Sequence, residues 1–413
     1  MTSMTQPRRS RAIAQQLRAL NEDKQWETFI VSMLKKLELP EEKRRAAQKR
    51  YEQFAHHVAT KMGLDIANVH VVVQGSMRTQ TTIAGDGREK FDLDVVVKLS
   101  GPRFTPLRES EWFFQAFGKA LEGIEGAGQP QPKNRCWRLQ YPGEPFYFDV
   151  TPAIPNSLAI IGTDLRVRDP KTVWSPSNPE DFAEWFCDIA DQRFPFQYVM
   201  LEKSLEARSH ADPIPSEPIG LDDILRRMVQ LMKLHRDYHF KRQPDEIRET
   251  MPISVILVTL AGHAYKELVE NEAASFSSAI EVALELVSRM PDYIDRSTHI
   301  KIDNPAMQGQ VRENFADRWN GDGGARDKSF RNWHKRLTLD LEALFSESYS
   351  KKAEERVREI FGQQGVRAWK GSHEEVPDLL VGAGILQGLK ATSPSHSAQP
   401  QQPRKTGAGD TLA

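Results

Sequence analysis

The chain has 413 residues with 56 Lys+Arg against 57 Asp+Glu, a net charge of −1. That is long enough for two lobes with a sizeable core, and it lacks the basic excess of a nucleic-acid-binding surface, so activation by nucleic acid is not indicated. The two cysteines, Cys136 and Cys187, give neither a disulfide framework nor a C-x-x-C zinc site, and the expected compartment is the reducing cytoplasm.

The arginines at 8, 9 and 11 are followed by no apolar h-region, so no signal peptide is expected. Residues 10–37 and 41–62 read as amphipathic helices split by Pro40. Val69–Val73 is a β-branched run that reads as a buried strand and breaks at Gly75, and Phe91–Leu99 reads as a second strand. Residues 112–124 read as a helix, and 136–141 with 145–150 as a hairpin through Pro142-Gly143. A Pro-rich irregular stretch follows, then a mostly helical segment over 178–208. A second Pro-rich break at Pro213, Pro215 and Pro218 precedes helices at 221–240, 253–271, 275–289, 311–319 and 329–345, with a further turn to 361. The longest apolar run, 253–261, falls short of the roughly 18–20 residues that span a bilayer, so a soluble protein without a membrane partner is expected. From about Thr392 the chain is rich in Ser, Pro, Gln and Gly and is expected to be a mobile tail.

The chemistry concentrates between residues 75 and 149. Strand Phe91–Leu99 carries Asp92 and Asp94 at i and i+2, and period two puts both on one face. An unneutralised charge inside F-D-L-D-V-V-V would be costly, so a cation is expected beside the pair. Two-metal sites clamp the attacking and leaving oxygens of a phosphoryl displacement, and three carboxylates can hold both ions. Asp149, in the strand-like run F-Y-F-D-V, is the third candidate. Gly75 lets the backbone approach a phosphate without a Cβ, and Ser76 adds a hydroxyl donor in the same turn. Arg78 could hold phosphate or pair with a carboxylate, while Asp86 and Glu89 read as solvated loop residues with a second supporting role left open.

The pattern G-S-x-x-x-x-T (Gly75, Ser76, Thr81), then F-D-L-D-V-V-V, then a lone Asp on a later strand resembles the cyclic GMP-AMP synthase and oligoadenylate synthase branch of the polymerase-β-like nucleotidyltransferases. More narrowly it resembles the bacterial CD-NTases of CBASS antiphage defence, a likeness supported by R-R-M-V-Q-L-M-K-L-H-R-D-Y and N-P-A-M-Q-G-Q-V-R-E-N-F-A-D-R-W. The resemblance implies an α+β fold: a nucleotidyltransferase core sheet with helices, an α-helical second lobe, and the active site in the cleft between them. It divides the chain into N-terminal helices bracing both lobes (1–65), a catalytic core (66–212), a helical lobe (219–362) and a flexible tail (363–413). Two Mg2+ ions, with Mn2+ as an alternative, are implied on Asp92, Asp94 and Asp149. The donor triphosphate is implied on Gly75, Ser76, Lys233 and Ser254.

The implied activity is condensation of nucleoside triphosphates, ATP the expected one, into a cyclic di- or trinucleotide messenger. CBASS accessory proteins are implied partners, among them an enzyme that conjugates the C-terminus. Two other functions stay open: a nucleotidyltransferase acting on a protein, tRNA or small molecule, and a non-catalytic nucleotide-binding scaffold. His235 with His239 has metal-ligand spacing but reads as a packing pair, as does His263 with Glu267. The basic run at 43–50 reads as a solvated helix face. Phe146, Tyr147, Phe148 and Trp185 are candidates for stacking on a base.

Overall fold

The computed structural model describes residues 8–84, 90–104, 109–156, 163–197, 223–307, 312–349 and 351–381. Contacts divide the chain into one compact unit, Met1–Ser372, and a C-terminal unit, His373–Ala413.

The first unit contains a mixed sheet. Strand β1 (Val69–Val73) pairs antiparallel with β2 (Phe91–Leu99), and β2 pairs parallel with β5 (Phe146–Pro155). The far edge of β5 is shared: β4 (Trp137–Gln140) pairs with its first half and β6 (Leu165–Asp169) with its end. Short β3 (Gln131–Pro132) extends β4, and β7 (Val173–Ser177) extends β6. The last two strands lie in what reads as an irregular stretch. Leu165 and Val167 alternate with arginines, and the arginines find aromatic partners rather than water: Arg166 lies 5.3 Å over Trp174, and Arg168 4.4 Å over Phe114.

Alternation along β2 sorts its side chains. Phe91, Leu93, Val95, Val97 and Leu99 enter a core with Phe146, Phe148 and Val150 of β5, covered by α3 (Glu41–Met62) and α5 (Ser110–Ala120). That packing turns Asp92 and Asp94 to the opposite face. Gly118 of α5 makes the fit possible, because a Cβ there would lie 2.2 Å from the Trp137 ring. Gly118→Ala should destabilise the protein by about 1–3 kcal/mol through overpacking, read as a lower denaturant midpoint with an unchanged m-value.

A second core is helical. It gathers α1 (Arg9–Ala19), α2 (Asp23–Lys35), α6 (Pro179–Ala190), α7 (Ile224–Lys241), α9 (Ser254–Asn271), α10 (Ala279–Arg289), α11 (Ala325–Ser346) and α12 (Lys351–Val381), with α8 (Asp245–Arg248) a single turn between α7 and α9. The single helix expected over 10–37 is two. Asn21 takes a left-handed φ of 58°, with its N–H on the Arg18 carbonyl and the Glu22 N–H on that of Leu17, a Schellman stop. The helix expected over 311–319 does not form among its described residues. Asn314 instead ties the loop, accepting from the Ile302 and Ala316 N–H groups and donating to the Ile300 carbonyl, and a 3-10 turn follows at Asp317–Gly321. Of the helix expected over 178–208, α6 ends at Ala190, and residues beyond 197 lie outside the described set.

Where a flexible tail is expected from residue 363, the backbone is helical to Val381 after a kink at Gly362. Trp369 supplies the reason, packing 4.5 Å from Tyr349 and 4.9 Å from Phe29 between ring centroids. Residues 382–413, which include the stretch after Thr392, lie outside the described set.

Candidate active site

Parallel pairing in register sets Asp94 directly beside Asp149, with Asp92 two residues back on the same face. One carboxylate oxygen from each of the three lies within 4.8 Å of the others, and among the described residues this is the group of such side chains that converges enough to hold a metal ion. Burial is the main force pushing the Asp94 carboxyl well above its ordinary range, reinforced by the charges of Asp92 and Asp149. Lys233 and Arg138 pull it back down. Three carboxylates forced together in low dielectric suit a hard divalent cation, whose preferred ligands are oxygens.

Sequence reasoning missed Arg138. Antiparallel pairing of β4 with β5 places it opposite Asp149, and its guanidinium donates from Nε to Oδ1 at 2.8 Å and from Nη2 to Oδ2 at 2.7 Å. Its other side lies 4.0 Å over the Tyr147 ring. This fork fixes the rotamer of Asp149 while leaving a second lone pair on each oxygen for a cation. The hairpin was legible, but its register was not.

The Gly-Ser turn is built against Asp94. Gln74 donates its N–H to the Asp94 carbonyl at 3.0 Å, and Gly75, at φ 61°, opens the short helix α4 (Gly75–Arg78). A Cβ at Gly75 would lie 2.4 Å from Asp94 Oδ2. Ser76 Oγ accepts from the Thr82 hydroxyl at 3.1 Å.

The helical core reaches this turn through α7. Lys233 is buried and donates to Thr81 O at 3.0 Å and Thr81 Oγ1 at 2.9 Å, while Arg226 donates to Thr79 O at 3.2 Å. Ser254 is the first residue of α9, after Ile253 as cap, and its hydroxyl accepts from Arg236 at 3.0 Å. Arg236, one turn after Lys233 on the same face, is the second missed residue; the i, i+3 spacing of the two cations carried the signal. Gly75, Ser76, Asp92, Asp94, Lys233 and Ser254 together line one cavity of about 190 Å³. Arg78 is exposed and outside that lining, and Asp86 and Glu89 fall outside the described residues.

A larger space of about 490 Å³ adjoins it, sharing Gly75, Thr79 and Asp94 and extending to Asn178, Asn304, Glu313 and Phe315. Glu313 is desolvated there, which lifts its carboxyl to about 7 against favourable contacts from Asn304, Arg135, Asn178 and Ser177. A carboxyl raised by folding contributes stability that is complete below its unfolded value near 4.5 and lost as pH rises through about 7. The loss should reach up to about 3 kcal/mol. Glu313→Gln should therefore flatten the dependence of Tm on pH between about 5 and 8.

Most of the other candidates are engaged in packing or ion pairs. His235 is buried, with its Nε2 3.1 Å from Asp340. His263 lies between Trp185 and Tyr293, and Glu267 bonds Arg289 and Tyr293. In the 43–50 run, Lys43 pairs with Glu144 and Arg45 with Glu41. Phe146 and Phe148 are core, Tyr147 lies under Arg138, and the Trp185 ring occupies the space a Cβ on Gly262 would need. No helix among the described residues is long and apolar enough to cross a membrane.

Three aspartates thus share one face of paired strands beside a Gly-Ser turn, an arrangement suited to nucleotidyl transfer on two metal ions. Residues 69–152 match the family described as cyclic GMP-AMP synthase DncV-like, nucleotidyltransferase domain. A c-di-GMP synthase of Roseivirga ehrenbergii is 29% identical over 259 residues, which span 61% of this chain and 61% of that relative. The fold is shared with the CD-NTase CdnG of Bradyrhizobium diazoefficiens, solved with GTP, at a TM-score of 0.63 and 20% identity over 85% of this chain and 99% of that one. The cyclic AMP-GMP synthase DncV of Vibrio cholerae aligns more loosely, with a TM-score of 0.47 and 16% identity over 86% of this chain and 91% of that one. The chain thus carries a DncV-like nucleotidyltransferase domain match over residues 69–152, is similar over 61% of its length to a c-di-GMP synthase, and shares an α+β fold with a CD-NTase.

Proposed function

We propose that the protein condenses nucleoside triphosphates into a cyclic di- or trinucleotide messenger, releasing pyrophosphate at each step, and that it serves antiphage signalling in the cytoplasm. The observation that carries this reading is the convergence of Asp92, Asp94 and Asp149 within 4.8 Å beside Gly75 and Ser76. The three carboxylates would hold Mg2+, or Mn2+, as two ions, which would supply charge neutralisation at the transferring phosphoryl group. In each step a ribose hydroxyl gives up its proton to solvent as its oxygen forms a bond to the α-phosphorus, the bond from that phosphorus to the bridging oxygen breaks, and pyrophosphate leaves.

The chain's own residues supply position. Gly75 leaves room for the phosphates next to Asp94, Ser76 and Ser254 present hydroxyls to the cavity, and Arg138 fixes Asp149. Lys233 secures the turn through Thr81 and offers its charge to the triphosphate. On this reading residues 66–212 form the catalytic core, 219–362 the helical lobe, and 1–65 the helices that brace them. The product of the Roseivirga relative and the GTP held by CdnG favour guanine on at least one substrate. CBASS accessory proteins, including a C-terminus-conjugating enzyme, are its proposed partners.

Lys233→Ala should raise the apparent KM for nucleotide about 10- to 100-fold, with a smaller fall in kcat, since a charge-assisted contact is worth about 1.5–3 kcal/mol. Steady-state kinetics reads the split, and an unchanged KM would put the triphosphate elsewhere. Labelled triphosphates incubated with the protein alone test the function. A phosphatase-resistant product supports cyclisation, whereas label that moves only onto an added macromolecule supports transfer to an acceptor.

A further inference from the structure

Helix α7 presents two polar faces. At ~100° per residue, Lys233, Arg236 and Asp237 fall on the side that lines the catalytic cavity. His235, Tyr238, His239 and Arg242 fall on the opposite side, where they line a separate cavity of about 270 Å³ closed by Arg336 and Asp340 of α11 and Glu359 of α12.

The acids of this second cavity are already engaged. Asp340 accepts from Arg336 Nε at 2.7 Å and from His235 Nε2 at 3.1 Å, and Glu359 accepts from Arg356 at 2.8 Å. His235 is settled as well. Its Nδ1 accepts from the Trp333 indole N–H at 3.0 Å, so the ring proton is on Nε2, facing Asp340. With both nitrogens committed, His235 has no lone pair for a metal, which removes the metal reading of the i, i+4 pair.

Two guanidiniums, those of Arg242 and Arg336, also line the cavity. The Arg242 guanidinium lies 5.1 Å over the Tyr238 ring, and Arg336 uses Nε for Asp340, leaving the end of its fork toward half-exposed space. Both guanidiniums act on His239. Its imidazole is pushed down to about 4, by burial first and then by His235, Arg336 and Arg242, against Asp340. Arg242, Arg336 and the His239 imidazole line one concave site, and paired guanidiniums in such a site suit an oxyanion.

We propose that this cavity binds a small oxyanion, the phosphate or carboxylate group of a metabolite, between Arg242, Arg336 and His239. The adjacent Tyr238 ring offers a flat surface to the rest of such a molecule. The site is independent of the catalytic reading, because it shares no lining residue with the cleft.

The test is histidine side-chain NMR of the full chain during titration with sodium phosphate at constant ionic strength, the His239 signals being assigned by their loss in His239→Gln. Phosphate should shift those signals saturably and raise the His239 midpoint by about 1 unit, because a nearby anion favours the imidazolium. Arg242→Gln should remove the response while leaving NTP turnover unchanged, and sodium chloride should produce none. A His239 midpoint unmoved by phosphate and by citrate would overturn the proposal. So would a saturable response that persists in the Arg242→Gln, Arg336→Gln double variant.

Discussion

Asp94→Asn should lower the rate of nucleotide condensation by about 1000-fold or more, because losing one carboxylate from a metal clamp forfeits several kcal/mol of charge stabilisation and each 1.36 kcal/mol is a factor of ten. The same substitution should raise the Tm measured without metal. Asp94 is held above its ordinary carboxyl range by burial and by Asp92 and Asp149, so removing its charge relieves repulsion in the folded state. Opposite movement of activity and metal-free stability separates a metal ligand from a structural carboxylate, for which the two would fall together. Asp92→Ala and Asp149→Ala should also abolish condensation, and synthesis above a few per cent in the Asp92 or Asp94 variants would refute the assignment.

Gly75→Ala should be almost as damaging to catalysis through one methyl group. Two independent costs coincide at this position: φ of 61°, which side chains rarely adopt, and a Cβ that would press on Asp94 Oδ2. The carboxylate must move, and a displacement on the order of 1 Å near reacting groups costs about 100-fold in rate. We expect a fall of about 100-fold in kcat with the cooperative unfolding transition retained. Activity within a few-fold of wild type would mean that Asp94 tolerates another rotamer and that its position is not set by this turn.

The strands that carry the site were legible because their pattern is local. In β2 the alternation of Phe91, Leu93 and Val95 with Asp92 and Asp94 states both the strand and its two faces. Asp149 could be singled out as a lone carboxylate in an apolar run, but its place beside Asp94 depends on a parallel crossover that no local pattern encodes. Arg138 was hidden for the same reason: it reads as one more strand arginine until the hairpin register sets it opposite Asp149. Asn21 broke a helix through a backbone conformation, and Asn314 replaced one with side-chain hydrogen bonds, both local devices that hydrophobic periodicity does not report. Strands β6 and β7 escaped because their arginines pack on aromatic rings brought in from α5 and β7. Trp369 likewise turned an expected tail into helix through contacts with Phe29 and Tyr349.

The central claim is that these three aspartates make cyclic nucleotides from triphosphates with no acceptor supplied. It is tested most directly by mass spectrometry of products formed by the purified protein from all four nucleoside triphosphates with Mg2+ or Mn2+, beside the Asp94→Asn protein. The account predicts masses of a cyclic di- or trinucleotide in the wild-type reaction, pyrophosphate released in step with bond formation, and neither with Asp94→Asn. Pyrophosphate release that appears only when a protein, tRNA or small-molecule acceptor is added, with the nucleotide recovered on that acceptor, would contradict it.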